Sequence, residues 1–273
     1  MQLNLQELNK STVIGLVGGG GLVLGMMLLV PEHFGVFFNI PGLLVVLGGT
    51  FAATVVSRPI VDVVRVMRSL PDLATDDPET VEGEIEQLLR VAEWYRRGNL
   101  AAAERELTQV SNPFLRSGMQ IVIDQGPLQD LTKVLQWRIA GVRLREHADA
   151  QILRTMAAFA PAFGMLGTLF GLVQMLSGLG HSGLQEIGAT MAFAMSSTLY
   201  GILAANLVLK PLAIKMERRT QGRLVLMTML QEGILLLYER RHPTLIRETL
   251  DAYLAHQQEA STPILRLAMV KAA

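Results

Sequence analysis

The feature that most constrains the fold is a long stretch almost without charge. Between Arg154 and Lys210 the chain has no lysine or arginine, and its only acidic residue is Glu186. Two apolar runs, 161–176 and 187–209, fill most of this stretch. Their lengths approach the roughly 20 residues that a helix needs to cross the hydrocarbon core of a bilayer. The pattern predicts a membrane helical hairpin, because a helix on the surface of a soluble protein would carry charges along one face.

Composition supports a polytopic membrane protein. Half of the 273 residues are hydrophobic and only 18% are charged, whereas soluble domains usually carry about 25% charged residues. The net charge is zero, so nothing suggests binding to nucleic acid. The chain has no cysteine, which excludes a disulfide framework, a thiolate metal site and a cysteine nucleophile.

We predict an all-α membrane protein with four transmembrane helices in two hairpins. The N-terminus lacks the pattern of a cleaved signal peptide, and its apolar stretch is interpreted as the first span. The four spans are expected at about 12–30, 38–57, 156–177 and 187–209. The predicted organisation is a first hairpin in 1–57, a helical cytoplasmic domain in 58–150, a second hairpin in 151–209, and cytoplasmic C-terminal helices in 210–273.

Basic residues predict the orientation. No lysine or arginine occurs from 11 to 57, and several follow the second and fourth spans: Arg58, Arg65, Arg68, Lys210, Lys215, Arg218 and Arg219. The positive-inside rule places both flanks, and with them both termini, in the cytoplasm. Both turns then face the other side of the membrane, which in a bacterium is the periplasm, the membrane being the inner one.

Helix-breaking prolines and glycines predict where the helices outside the membrane begin and end. Acidic residues after Pro78 favour a helix start, Gly98-Asn99 predicts a break, and Asn112-Pro113 predicts another. Further helical patterns cover 114–124 and 127–155. The tail from Pro211 is helical to about 239, and after a break at His242-Pro243 a last helical pattern covers 244–257. No strand-like alternation of useful length is present.

Three hydroxyls lie at mid-depth in the second hairpin: Thr168, Ser197 and Thr198. Hydroxyls at this depth cost free energy unless they hydrogen-bond within the protein or bind something. One interpretation is hydrogen bonding to a carbonyl one turn earlier. The other is a set of neutral oxygen ligands for a hard cation such as sodium. No ionisable residue lies near the middle of any span, so a carboxylate for an ion path would have to come from another chain.

Small residues and prolines mark the same hairpin. Glycines and alanines recur at helix-contact spacing at Gly164, Gly167, Gly171, Ala194, Gly201 and Ala205. They predict close packing, either within one subunit or between subunits. Pro161 and Pro211 are expected to kink or end their helices; each is explained equally well by a bending point or by a plain helix boundary.

Several stretches resemble the A-subunit of the bacterial flagellar stator, the MotA/PomA group of the MotA/TolQ/ExbB family. They are NIPGLLVVLGGTFAAT at 39–54, APAFGMLGTLFGLVQML at 160–176, SSTLYGILAANLVLKP at 196–211 and, more weakly, 232–254. The resemblance implies a homopentamer around a dimer of a B-subunit, whose single helix carries an essential Asp. It further implies that ion flow at this Asp turns the A ring against the flagellar rotor switch protein.

The resemblance also assigns roles to residues. Pro161 and Pro211 match the functional prolines of the family. Thr168 matches a pore threonine of sodium-type members, and Ser197-Thr198 matches a Thr-Thr pair with serine in the first place. Sodium is therefore favoured over the proton as the transported ion, with no other cofactor and no metal site, and the protein is not expected to be an enzyme.

The segment 95–106, YRRGNLAAAERE, resembles the part that contacts the rotor. The match assigns Arg96 and Glu104, eight residues apart, with Arg97 and Glu106 as neighbours. The alternative is an ordinary solvated charged helix face.

Two functions are compatible with these patterns. The first is a stator subunit that couples cation flow to flagellar rotation and hence to motility in chemotaxis. The second is an energising channel subunit of the TolQ/ExbB type, which would power outer-membrane transport or integrity. The count of four spans and the charges in 95–106 favour the first.

Overall fold

The computed structural model describes residues 18–21, 25, 38–73, 81–180 and 183–261. These residues form helices and the turns between them, without any strand. The predicted all-helical class is therefore confirmed for the described part of the chain. The first predicted span, about 12–30, lies outside the described residues except for helical residues 18–21 and 25, so the count of four spans stays a prediction.

The elements follow one another with short connections. In chain order they are α1 (Ile40–Ser57), α2 (Ile60–Ser69), a 3-10 turn (Pro71–Leu73), α3 (Val81–Arg96), α4 (Leu100–Thr108), α5 (Pro113–Ile123), α6 (Leu128–Gly178), α7 (Leu184–Leu203), a π-helical segment (Ala204–Leu209), α8 (Lys210–Tyr238) and α9 (Pro243–Ser261).

Asparagine caps explain several helix starts. The side chain of Asn39 accepts from the amide of Gly42 at 3.0 Å, and Asn99 accepts from the amide of Ala102 at 3.1 Å. Asn112 caps α5 in the same way, at 2.8 Å from the amide of Phe114. Each cap satisfies an amide that has no partner within its own helix. The breaks predicted at Gly98-Asn99 and Asn112-Pro113 are confirmed.

Among the described residues, three helical stretches are long and apolar enough to cross a membrane by length and composition. They are Ile40–Ser57, Leu128–Gly178 and Leu184–Tyr238. The third and fourth predicted spans lie within the last two, and the first of the three matches the second predicted span except that the helix begins at Ile40 and not at residue 38. The residues at which the chain enters and leaves the bilayer stay a prediction.

The chain divides into two compact units. The first unit comprises Met1–Asp76 and Arg145–Arg219, and the second comprises Asp77–Leu144 and Thr220–Ala273. In the first unit, α2 packs its valines against residues of α6, of the π-helical segment and of α8. The buried members of this cluster are Val63, Val66, Ile152, Leu153, Met156, Ala157, Ala160, Ala205, Leu209 and Ala213.

The second unit has a core of large aliphatic side chains. Its helices α3, α4, α5 and α9 pack with the second-unit parts of α6 and α8 around one cluster. The largest side chains that this core buries completely are Leu88, Leu115, Met119, Leu131, Leu135, Met229, Leu230, Ile234, Leu237, Ile246 and Leu250.

Neither of the two prolines ends a helix. Pro161 lies inside α6, which continues to Gly178, so the interpretation as a plain boundary is wrong for this residue. Pro211 lies in the first turn of α8, directly after the π-helical segment, and the helical path continues through it. Proline lacks an amide hydrogen and its ring clashes with the carbonyl four residues earlier. The wider turn, in which the amide of Lys210 bonds to the carbonyl of Ala205, accommodates that clash without ending the helix.

Candidate functional site

Two of the three predicted hydroxyls lie together. The side chains of Thr168 on α6 and Thr198 on α7 are hydrogen-bonded to each other across the hairpin. Thr168 Oγ1 also lies 3.1 Å from the carbonyl oxygen of Gly164 and 3.3 Å from that of Ala194. Thr198 Oγ1 lies 3.3 Å from the same Gly164 carbonyl. Both threonines are half-buried, so the pair is at the edge of the helix contact.

This arrangement gathers four neutral oxygens from two helices. The two hydroxyl hydrogens have more acceptors than they can use, because each hydroxyl has one hydrogen and two lone pairs. The threonine oxygens therefore keep lone pairs for a cation or a further donor. Oxygen ligands suit hard cations. Within the described residues, no group of three or more His, Asp or Glu side chains could hold a metal ion.

Ser197 has a different environment. Its side chain is 0% exposed, and its hydroxyl donates to the carbonyl of Phe193 at 2.8 Å. A Cβ atom at Gly42 would lie 2.9 Å from Ser197 Oγ, and one at Gly167 would lie 2.7 Å from it. The serine is therefore enclosed between α1 and α6, and its hydroxyl satisfies a carbonyl one turn earlier, as one of the two interpretations predicts.

The glycines of the hairpin bring two backbones into contact. A Cβ atom at Gly164 would lie 2.9 Å from the carbonyl of Ser197, and one at Gly201 would lie 2.6 Å from the carbonyl of Ala160. One at Gly171 would lie 2.7 Å from Ala194 Cβ. These separations are too short for side chains, so only glycine permits the approach. Of the two kinds of packing predicted for these small residues, the structure shows the one within a single chain.

α1 joins this hairpin through one hydrogen bond and one apolar contact that the sequence did not reveal. The amide of Asn39 donates to the hydroxyl of Tyr200 at 2.8 Å, and Gly49 lies against the ring of Phe163. A tyrosine inside an apolar run was the available signal, because its hydroxyl usually finds a partner when buried. Nothing in the sequence indicated that the partner would be the start of α1.

Three ion pairs in the first unit, made by two arginines, were also missed. Arg65 lies 2.8 Å from Asp62 and 2.5 Å from the buried carboxylate of Asp149, and the bond to Asp149 raises the pKa of the arginine. Arg154 makes a two-point contact with Glu217, at 2.6 Å and 2.7 Å. This hydrogen bonding lowers the pKa of Glu217 and raises the pKa of Arg154.

The predicted rotor-contact residues lie on the α3–α4 helical hairpin. Gly98, with a φ of +77°, makes the turn. Arg97 bonds to Glu93 at 2.7 Å and lies over the ring of Trp94. Arg96 is exposed, with Glu93 at 3.9 Å.

On α4, Glu104 is exposed. Glu106 is half-buried, 3.6 Å from Arg90. Arg96 and Glu104 are therefore the two members of the predicted set that present a largely unengaged charge.

Comparisons with known proteins agree with this architecture. The model of the MotA/TolQ/ExbB proton channel family matches residues 106–229. Motility protein A of Borreliella burgdorferi is 30% identical over 247 residues, which cover 90% of this chain and 94% of that protein. Chemotaxis protein PomA of Vibrio alginolyticus is 27% identical over 256 residues, 93% of this chain and 98% of that protein.

The fold is similar to that in the structure of the flagellar MotAB stator complex from Bacillus subtilis. The TM-score is 0.80 with 24% sequence identity, and the match covers 93% of this chain and 99% of the matched chain.

Proposed function

Because this chain belongs to the MotA/TolQ/ExbB proton channel family, we propose that it is the A-subunit of a flagellar stator, which converts an ion-motive force into torque on the rotor. The similarity to motility protein A and to PomA extends over about nine tenths of the chain. The TolQ/ExbB type of energising channel is the alternative within the family. The relatives named for motility favour the stator.

The observation that carries the proposal is the Thr168–Thr198 pair. It joins α6 and α7 inside the stretch without lysine or arginine, and its oxygens are only half-buried. We assign these two residues to the ion path. Ser197, enclosed by Gly42 and Gly167, would affect the path through the packing of α7. The neutral hydroxyl and carbonyl oxygens favour sodium over the proton as the transported ion, because such oxygens suit a hard cation.

The carboxylate that this path lacks would come from a B-subunit. Beside the threonines, α6 exposes large apolar side chains, including Met165, Leu169 and Phe170. Such a surface suits another helix, either of the B-subunit or of a further copy of this chain. A pentamer of A-subunits around a dimer of single-span B-subunits, in the inner membrane with both termini in the cytoplasm, is the proposed assembly.

Torque would be delivered through charges and permitted by the prolines. Arg96 and Glu104 are the proposed contacts to the rotor switch protein, with Arg97 and Glu106 holding neighbouring positions. Pro161 and Pro211 each interrupt the hydrogen bonding of a continuous helix, which makes them the proposed bending points during ion passage.

The ion-path assignment is tested by alanine variants in cells without other stators. The host expresses this chain with its B-subunit as the only stator. Thr168→Ala and Thr198→Ala should each cut swimming sharply while the protein stays in the membrane, because each removes one of the paired oxygens.

Ser197→Ala is the matched control, since it removes a neighbouring hydroxyl that bonds only within its own helix. It should leave most swimming intact. Normal swimming by both threonine variants, at normal protein levels, would contradict the ion path.

A test of the rotor contact is charge reversal at Arg96. Arg96→Glu should impair swimming and be partly restored by the opposite reversal on the rotor, because the contact depends on opposite charges. Arg138→Glu, another exposed arginine of the second unit, serves as control. If Arg96→Glu and Arg138→Glu changed swimming equally, the segment 95–106 would be an ordinary solvated charged face and not a rotor contact.

A further inference from the structure

Helix α2 exposes a second apolar face at the end of a predicted span. One face packs Val63 and Val66 into the buried cluster of the first unit. On the opposite side, Ile60 is 54% exposed and Val61 is 73% exposed, and Val56 at the end of α1 is 89% exposed. A helix of a soluble protein would place charged residues on that side. Val56 brings the exposed apolar residues to the end of α1, the helix that crosses the bilayer in the predicted topology.

Two arginines flank this face without an ion partner. Among the described residues, no ion pair or side-chain hydrogen bond is made by Arg58 or Arg68. Arg65, between them, is engaged by Asp62 and Asp149. The one acidic residue of α2 is thus neutralised within the chain. The charge that the face presents to its surroundings is positive.

Arg68 shares one surface with the exposed apolar side chains, and Arg58 lies two residues before the start of α2. A shallow depression of about 580 Å³ is lined by Ile60, Val61, Val64, Arg65 and Arg68. Its lining combines three aliphatic side chains with the guanidinium groups of Arg65 and Arg68, of which only Arg68 has no ion partner among the described residues. This combination fits a molecule with an anionic head and an apolar body.

We propose that α2 lies in the membrane surface and binds anionic phospholipid of the cytoplasmic leaflet. The exposed apolar side chains would sit at the boundary of headgroups and acyl chains, and Arg58 and Arg68 would contact the phosphates. The charge complementarity and the continuity with α1 select lipid over water or a soluble partner. The inference rests on membrane insertion and is independent of ion conduction and torque.

The strength expected of such a site follows from surface electrostatics. A lysine or arginine beside an anionic membrane contributes roughly fivefold in binding. Loss of both arginines should therefore reduce the preference for anionic lipid by about 25-fold if the two act independently. Arg65 should contribute little, because its charge is already balanced within the chain.

The first experiment places a spin label on the exposed face. Since the chain has no cysteine, Val61→Cys gives a single labelling site in the full chain, co-purified with a cysteine-free B-subunit. The complex is placed in bilayers of phosphatidylethanolamine and phosphatidylglycerol. We expect high accessibility to oxygen and low accessibility to a water-soluble nickel reagent. High nickel accessibility would show a solvated face, and low accessibility to both would show coverage by protein; either result would overturn the proposal.

The second experiment measures the lipid directly. The complex is extracted from the same mixed bilayers, and the ratio of retained phosphatidylglycerol to phosphatidylethanolamine is determined by mass spectrometry. Arg58→Gln with Arg68→Gln should lower this ratio strongly. The control, Arg138→Gln with Arg143→Gln, removes two exposed arginines of α6 that belong to the second unit and should leave the ratio unchanged. An equal fall in both double variants, or in neither, would overturn the proposal.

Discussion

The second hairpin, which belongs to the first unit, and the second unit use opposite kinds of residue where helices meet. In the first unit, α6 and α7 touch through glycines and threonines, and large side chains such as Leu169 and Phe170 point outward. In the second unit, leucines, isoleucines and methionines fill the interior. The difference indicates two solvents. Burial of aliphatic side chains stabilises helices against water, whereas lipid gives no such gain and favours close backbone approach.

The bonding partners of polar side chains also differ between the second unit and the second hairpin. In the second unit, exposed charges pair with near neighbours in the sequence, as Arg97 does with Glu93. In the second hairpin, hydroxyls bond to carbonyls of the same or the facing helix. A polar group within a bilayer has no water as a partner. Its bonding inside the hairpin therefore follows from where that hairpin lies.

The largest effect on stability is expected from the core of the second unit. Leu230 is 0% exposed, so Leu230→Ala should cost about 2–5 kcal/mol in free energy of unfolding through lost burial and a cavity. Leu169, 63% exposed on the hairpin, is the control, and Leu169→Ala should change stability little. Thermal unfolding of the purified protein gives both values. Similar losses in the two variants would contradict the contrast between the units.

The glycine contact of the hairpin gives the next effect. A Cβ at Gly201 would meet the backbone of Ala160 at 2.6 Å, whereas one at Gly188 on the same helix meets nothing within 4 Å. Gly201→Ala should destabilise the protein by about 1–3 kcal/mol through overpacking. Gly188→Ala should be neutral or stabilise it by up to about 1 kcal/mol, because alanine favours helix. The same sign for both variants would show that backbone contact does not hold the hairpin.

An intermediate effect is expected for the ion pair of α2. Arg65→Ala would leave the carboxylate of Asp149, itself 8% exposed, without this partner. Breaking a buried pair costs about 3–5 kcal/mol. The arginine side chain is 35% exposed, so solvent screening reduces the expected loss to roughly 1–2 kcal/mol. Arg68→Ala on the same helix is the control, and the melting temperature of both variants is the measurement.

The smallest effect on stability is expected from the Arg154–Glu217 pair, and it should depend on pH. The contact with Arg154 lowers the pKa of Glu217. The ion pair therefore stabilises the fold at pH values above 4.5, the ordinary pKa of this carboxyl, and the stabilisation is lost as the pH falls through the lowered pKa. Glu217→Gln should lower the melting temperature slightly at neutral pH. The difference from the parent should vanish in strong acid. Melting curves from neutral to acidic pH would reveal a constant difference if the pair made no contribution.

Local signals predicted most of the helices. The chain after Pro78 begins a helix at Val81, and Gly98 takes a positive φ that glycine tolerates. Asn112 caps the helix that Pro113 begins. Each of these features depends on neighbours within a few residues. A single sequence therefore contains the information.

Features that depend on distant residues could not be read in this way. Arg65 and Asp149 are 84 positions apart, and Arg154 and Glu217 are 63 apart. Ser197 and Thr198 are adjacent in the sequence and looked equivalent there. In the structure, Ser197 is enclosed by α1 and α6, whereas Thr198 is hydrogen-bonded to Thr168. The packing of α1, α6 and α7 is what distinguishes a hydroxyl that is buried between helices from one that is a candidate ion ligand.

The central claim is that a cation passes along the Thr168–Thr198 pair. Its most direct test is swimming speed against external sodium at constant pH, in cells with this chain and its B-subunit as the only stator. The account predicts that speed rises with sodium and saturates. In Thr198→Ala cells, the speed should be lower and should need more sodium to reach half its maximum. Identical speed and sodium dependence in parent and variant, at equal protein levels in the membrane, would contradict it.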